Sequence, residues 1–168
     1  MKNVYRITYV YQAIIWIISA INYTIGIINF ILPGGDRFSL MVHLIILCIS
    51  LAVVGSNIYL LIMKDTGNIL ILKSLHFNKW INVIQILNIQ IIGLTYYTII
   101  GARILMYYEF DETQRFSINL GFYKLQTELS YTKSDIIFVG INLIAILLYI
   151  IFDRNIRDHN EQIISKLL

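Results

Sequence analysis

His43, Ser50 and Asn57 recur at intervals of seven residues, so on a helix they fall near one face. A histidine sharing a face with a hydroxyl suggests nucleophilic catalysis, with the imidazole as base and the carboxamide as an orienting group. The same imidazole is a potential metal or haem ligand. Neither chemistry finds its second component. The other histidines, His76 and His159, lie outside the apolar runs, and Cys48 is the only cysteine. A lone cysteine excludes an intramolecular disulfide and a cysteine-based metal centre within one chain; inside an apolar run it reads as a small buried hydrophobe. Asp111 and Glu112 are neighbouring acids in a polar connection, which is no basis for a catalytic pair. The chain has no HExxH, GxGxxG, GxSxG, P-loop or CxxC pattern. The sequence therefore assigns no catalytic residue, cofactor or metal ligand, and it predicts a protein that is not an enzyme.

The carboxamides form a larger set. Ile81 to Ala102 reads INVIQILNIQIIGLTYYTIIGA, carries no charge, and is long enough to cross a bilayer as one helix. Its first half holds Asn82, Gln85, Asn88 and Gln90; its second half holds Thr95, Tyr96, Tyr97 and Thr98. Amides in hydrocarbon need partners, so these are expected to face other helices, a partner subunit or an aqueous cavity. With Asn22, His43, Ser50, Asn57, Tyr97 and Asn142, they are the candidates for helix packing or for lining a pore.

The elements that would position them follow from composition. Hydrophobic residues make up 58% of the 168, charged residues 14%, and the mean hydropathy is +0.71. Soluble domains carry about 25% charged residues. A net charge of +3 is too small and too scattered to indicate nucleic-acid binding. The predicted fold is an all-α polytopic membrane protein with four transmembrane helices in a single domain: spans 10–32, 40–63, 81–103 and 136–152. The run from Val10 to Leu32 is too long for a signal core and lacks an Ala-x-Ala site, so it reads as a retained span. In it, Ser19, Asn22, Gly26 and Asn29 share a face expected to pack inward. Pro33-Gly34-Gly35-Asp36 is the clearest breaker and predicts a tight antiparallel hairpin, with Ser39 as N-cap of the second span.

The connections carry the remaining signals. Lys64 to Trp80 is basic, opens on the turn signal Asp65-Thr66-Gly67-Asn68, and is expected to touch the headgroup layer. Arg103 is expected to snorkel to the interface or to pair with Glu109 or Asp111. Residues 108–135 show period-two patterning, Phe116-Ile118-Leu120 and then Leu125-Thr127-Leu129-Tyr131, which predicts a β-hairpin-like loop of two short strands around Gly121. Lys133-Ser134-Asp135 is a polar helix start, and the tail 153–168 is helix-capable.

Positive charge sets the orientation. The N-terminus has Lys2 and Arg6, the second connection Lys64, Lys73 and Lys79, and the tail Arg154, Arg157 and Lys166, while the first connection has only Arg37 and the third has Arg115, Lys124 and Lys133 but more acids. The positive-inside rule puts both termini in the cytoplasm of a bacterial inner membrane and 108–135 outside. The absence of acids within the spans disfavours a proton-coupled carrier. The expected function is a non-enzymatic integral membrane subunit, homo-oligomeric in lipid, that senses or anchors and signals to a cytoplasmic protein partner; the alternatives are a small oligomeric channel or pore, and a membrane enzyme or carrier. The layout of four spans, internal termini and a strand-like outer loop is similar to that of small membrane subunits of bacterial phage-defence systems, such as the membrane component of Kiwa. The similarity is one of topology and no motif carries it; it implies an envelope sensor acting with a separate cytoplasmic effector.

Overall fold

The computed structural model describes residues 3–31, 37–63, 68–91, 94–110, 114–131 and 137–167. The Pro33–Asp36 breaker, the Asp65–Gly67 turn, the acids Asp111 and Glu112 and the Lys133–Asp135 start lie outside them. The elements are α1 (Asn3–Ile31), α2 (Arg37–Ile62), α3 (Ile69–Ile86), β1 (Leu87–Ile91), β2 (Leu94–Phe110), β3 (Arg115–Tyr131), β4 (Ile137–Asn142) and α4 (Leu143–Leu167). They divide into two compact units, Met1–Asn78 with Asp158–Leu168, and Lys79–Arg157.

Two helices in the first unit, over Asn3–Asn29 and Leu40–Ile62, are long and apolar enough to cross a membrane. Their buried faces have helical spacing. On α1 the stripe is Tyr5, Tyr9, Gln12, Trp16, Ser19 and Tyr23; on α2 it is Ile46, Ser50, Val53, Asn57 and Leu60, a strict four-three alternation. The outward faces are just as apolar, with Ile14, Ile21 and Ile28 on α1 and Leu44, Leu51 and Ile58 on α2. Only 33% and 28% of the two apolar windows are buried. The core helix of a soluble protein covers its apolar residues, and these helices do not. Cys48 is exposed on α2, contrary to its expected burial. α2 begins at Arg37, two residues before Ser39, so Ser39 lies within the helix and not at its cap.

The four-span all-α fold is not what forms. The third apolar run is helix only at its start and strand for most of its length: α3 starts at Ile69, ends at Ile86, and gives way to β1 and β2. The length rule for spans treats apolar residues alike, whereas Thr95-Tyr96-Tyr97-Thr98-Ile99-Ile100 is β-branched and aromatic throughout and favours an extended chain. The fourth run is also split. Ile137–Asn142 is strand β4, and the helix begins only at Leu143. Asn142 marks the change: its Oδ1 accepts from the Ile144 amide at 3.2 Å, an N-cap-like bond that satisfies an orphan donor. Asn68 does the same for α3, accepting from the Leu70 amide at 2.9 Å.

The second unit contains a four-stranded antiparallel sheet in the order β1-β4-β2-β3, with β1 also pairing with the start of β2. β2 can meet β1 at one end and β4 at the other because it bends. Gly101 has φ 107°, which favours glycine, and the β2–β3 register shifts between Gly101 and Arg103, where Ala102 faces residues 122–123. The predicted hairpin of two short strands around Gly121 is thus one 17-residue strand, β3, paired along β2. Gly121 sits opposite Arg103 at this bulge. The Arg103 side chain crosses it, since a Cβ there would lie 3.1 Å from Arg103 Nε, and it donates to Asn119 Oδ1 at 2.7 Å. Arg103 therefore makes a cross-strand bond that the sequence does not predict; Asp111, one of its expected partners, lies outside the described residues.

Candidate functional site

In the first unit the polar residues form a seam. Ser19 Oγ and Ser50 Oγ are 3.1 Å apart between α1 and α2, and Ser50 also donates to the Ile46 carbonyl at 2.8 Å. Farther along α2, Asn57 Nδ2 donates to Asn78 Oδ1 at 2.7 Å and to its own Val53 carbonyl at 2.8 Å. Asn78 Nδ2 in turn donates to Ser56 Oγ at 2.7 Å. Ser19, Ser50, Asn57 and Asn78 are completely buried. This small network pins the first half of α3 against the last turns of α2. Ser56, with Ala52 and Gly55, is legible in the sequence as a small surface for close helix contact, whereas Asn78 is not singled out by it. The signal for Asn78 was present: Ile71, Leu75, Asn78, Asn82 and Gln85 repeat the four-three spacing of the α2 stripe.

Asn22 and His43 stand apart from that seam. Asn22 is exposed on α1 and its Nδ2 donates to its own Ile18 carbonyl at 2.9 Å, so the face containing Ser19, Asn22, Gly26 and Asn29 does not pack inward as a whole. His43 is half-buried and meets the Tyr23 ring edge-on, 5.5 Å between centroids. Gly26 makes room for it: a Cβ there would lie 2.9 Å from the imidazole Cδ2. His43 and Ser50 share a face but are about 10 Å apart along the helix axis, too far for the imidazole to take the hydroxyl proton. Among the described residues no group of three or more histidine, cysteine or acidic side chains could hold a metal ion.

In the second unit the carboxamides line the inner side of the helix-to-sheet junction. Asn82, Asn88 and Asn142 are fully or almost fully buried, and so is Gln85, whose Oε1 accepts from the Ile100 amide at 3.0 Å. That bond serves a backbone donor next to the Gly101 bend, where ladder pairing is interrupted. Asn88 lies opposite Gly140 in the β1–β4 ladder, and half-buried Gln90 lies opposite Phe138. Tyr97 pairs with Glu128 on β3 by backbone register; its side chain lies outside the described ones. Of these amides, Gln85 bonds a helix to a sheet, and Asn142 caps α4. At the α3–α4 contact Lys79 Nζ lies 2.7 Å from Asp153 Oδ1 and 5.0 Å from the centre of the Tyr149 ring, and Arg157 lies 3.1 Å from Asp153 Oδ2. The hydrogen bond to Asp153 raises the Lys79 pKa above its ordinary value, which keeps the ammonium charged across the physiological range.

The register of the sheet divides polar from apolar residues by face. Leu87 and Ile89 of β1, Ile137, Val139 and Ile141 of β4, Ile104, Met106, Tyr108 and Phe110 of β2, and Phe116, Ile118 and Leu120 of β3 share one side, and none is buried. Asn88, Asn142, Leu105, Tyr107, Arg103, Glu109 and Asn119 share the other. On that inner side Leu105 is buried, the Tyr107 and Phe138 rings are 5.1 Å apart, and a Cβ on Gly140 would come within 2.9 Å of Phe138. The polarity of helix and sheet is therefore inverted: carboxamides and charges are turned in, and large apolar side chains are turned out.

The four-span layout that resembled phage-defence membrane subunits is absent, so that resemblance has no structural counterpart. No protein-family model matches the sequence, and no curated protein or solved structure matches it.

Proposed function

We propose that this chain is a non-enzymatic, membrane-anchored subunit. α1 and α2 cross the bilayer as a hairpin, and the polypeptide that follows them, through the sheet to the C-terminus, stays on the cytoplasmic side as a sensing or adaptor module for a protein partner. The observation that supports this reading is the inverted polarity. α2 buries Ser50 and Asn57 while exposing Leu44, Leu51 and Ile58, an arrangement that is stable when the surroundings are as apolar as the protein interior. The seam amides and hydroxyls bond to one another and to helix carbonyls, which suits packing better than a conducting path. Orientation follows from the basic residues: Lys2 precedes α1 and Arg6 lies in its first turn, and Lys64, Lys73 and Lys79 follow α2, whereas the connection between the two helices is flanked only by Arg37, the first residue of α2.

Single cysteines in a Cys48→Ser background test this arrangement. With an impermeant maleimide on intact cells, Gly35→Cys is expected to label, while Asn119→Cys and Glu161→Cys label only after permeabilisation. Labelling of Asn119→Cys and Glu161→Cys in intact cells with Gly35→Cys protected would reverse the orientation. Labelling of Gly35→Cys and Asn119→Cys without Glu161→Cys would require two further crossings and contradict the hairpin.

A further inference from the structure

The outer face of the sheet does more than an anchor requires. A sheet with one side in water carries polar residues on that side. Here β3 turns Phe116, Ile118 and Leu120 outward, and Leu120 is 71% exposed. Arg103 and Glu109 stand on the opposite face. In the same unit Trp80 on α3 is 62% exposed, whereas Lys79 beside it turns inward to Asp153. The core of a protein interface is bounded by a polar, charged rim. This face is uncharged from Leu87 at one edge of the sheet to Phe116 at the other, and it carries the rings of Tyr108, Phe110 and Phe116, residue types suited to the boundary between headgroups and acyl chains. Within one chain and among the described residues β3 pairs only with β2, so its other edge would leave backbone groups unpaired in hydrocarbon, which favours seating the sheet at the surface.

We propose that the outer face of this sheet is a bilayer-docking surface, seated in the acyl–headgroup boundary with its inner, carboxamide-bearing side turned away from the lipid. The proposal rests on the membrane-anchored reading. It makes the sheet a monotopic element whose seating responds to the lipid surface.

The test uses the full chain with Cys48 replaced by serine, reconstituted in phosphatidylcholine–phosphatidylglycerol vesicles, with one nitroxide at a time at positions 117 to 120. Collision rates with oxygen, which concentrates in lipid, and with a nickel chelate, which stays in water, are measured at each. At 118 and 120 the oxygen-to-nickel ratio is expected to be several-fold higher than at 117 and 119. Equal nickel access at 118 and 119 would overturn the proposal. Low access to both reagents at 118, with spin–spin broadening, would overturn it in favour of a second copy of the chain. Protein that withstands an alkaline wash but shows water at 118 loses the docking and keeps the anchor. Protein stripped by the wash loses both.

Discussion

Replacing Leu51 with lysine is expected to abolish stable membrane integration of α2. Leu51 lies at the centre of the apolar stretch Leu40–Ile62 and is 57% exposed. It is about 16 Å along the axis from either end, too far for a lysine to carry its ammonium out to the headgroups. A lysine at that depth costs about 2.5–3.5 kcal/mol of insertion free energy, roughly a hundredfold in the insertion equilibrium. The same substitution on a water-facing helix would change stability by about 0.5 kcal/mol or less. The comparison is the membrane-integrated fraction of Leu51→Lys and Leu51→Ala. A large loss with lysine and little with alanine is the expected result; full integration of the lysine variant would mean that α2 does not sit across a bilayer.

The second large effect belongs to Asn78. Asn78→Leu removes the acceptor of Asn57 and the donor to Ser56 in a site without exposure. Leaving those groups buried and short of a partner is expected to cost about 1–3 kcal/mol of stability. The double replacement Asn57→Leu/Asn78→Leu removes the polar demand from both helices, and it should recover most of that loss, because two apolar side chains of similar size can fill the same space. Denaturant titration of the purified protein in lipid or mild detergent, followed by helix content, gives the three values. A double variant that costs the sum of the two single ones would show that the residues do not act as a pair.

How much of this could be read from the chain depended on how many physical signals agreed. α1 and α2 were legible because length, continuous hydropathy and the Pro-Gly-Gly break all pointed to helices near the observed bounds. The run from Ile81 failed because length and β-propensity disagreed and length was allowed to decide. Period two in β3 was visible, and so was its change of parity from Leu120 to Leu125. A change of parity has two physical causes, a turn or an inserted residue; the chain takes the second, since Ala102 faces residues 122–123. The carboxamides stand out in the sequence as residues needing partners. What they bond was not legible: Gln85 serves the Ile100 amide beside a bend whose existence depends on distant strand pairing. Nor could Arg103 have been placed on Asn119 without knowing the register that brings their strands side by side. Asn142 was read as a polar interruption of a helix, whereas an asparagine followed by an apolar helical run is also an N-cap signal.

The bilayer crossing itself is tested most directly by extraction of membranes from cells producing the full chain. After washing with sodium carbonate at high pH, which strips peripheral proteins and leaves spanning helices in place, the protein is expected to remain in the pellet and to leave it only with detergent. Recovery of the protein in the carbonate supernatant would contradict a transmembrane hairpin of α1 and α2.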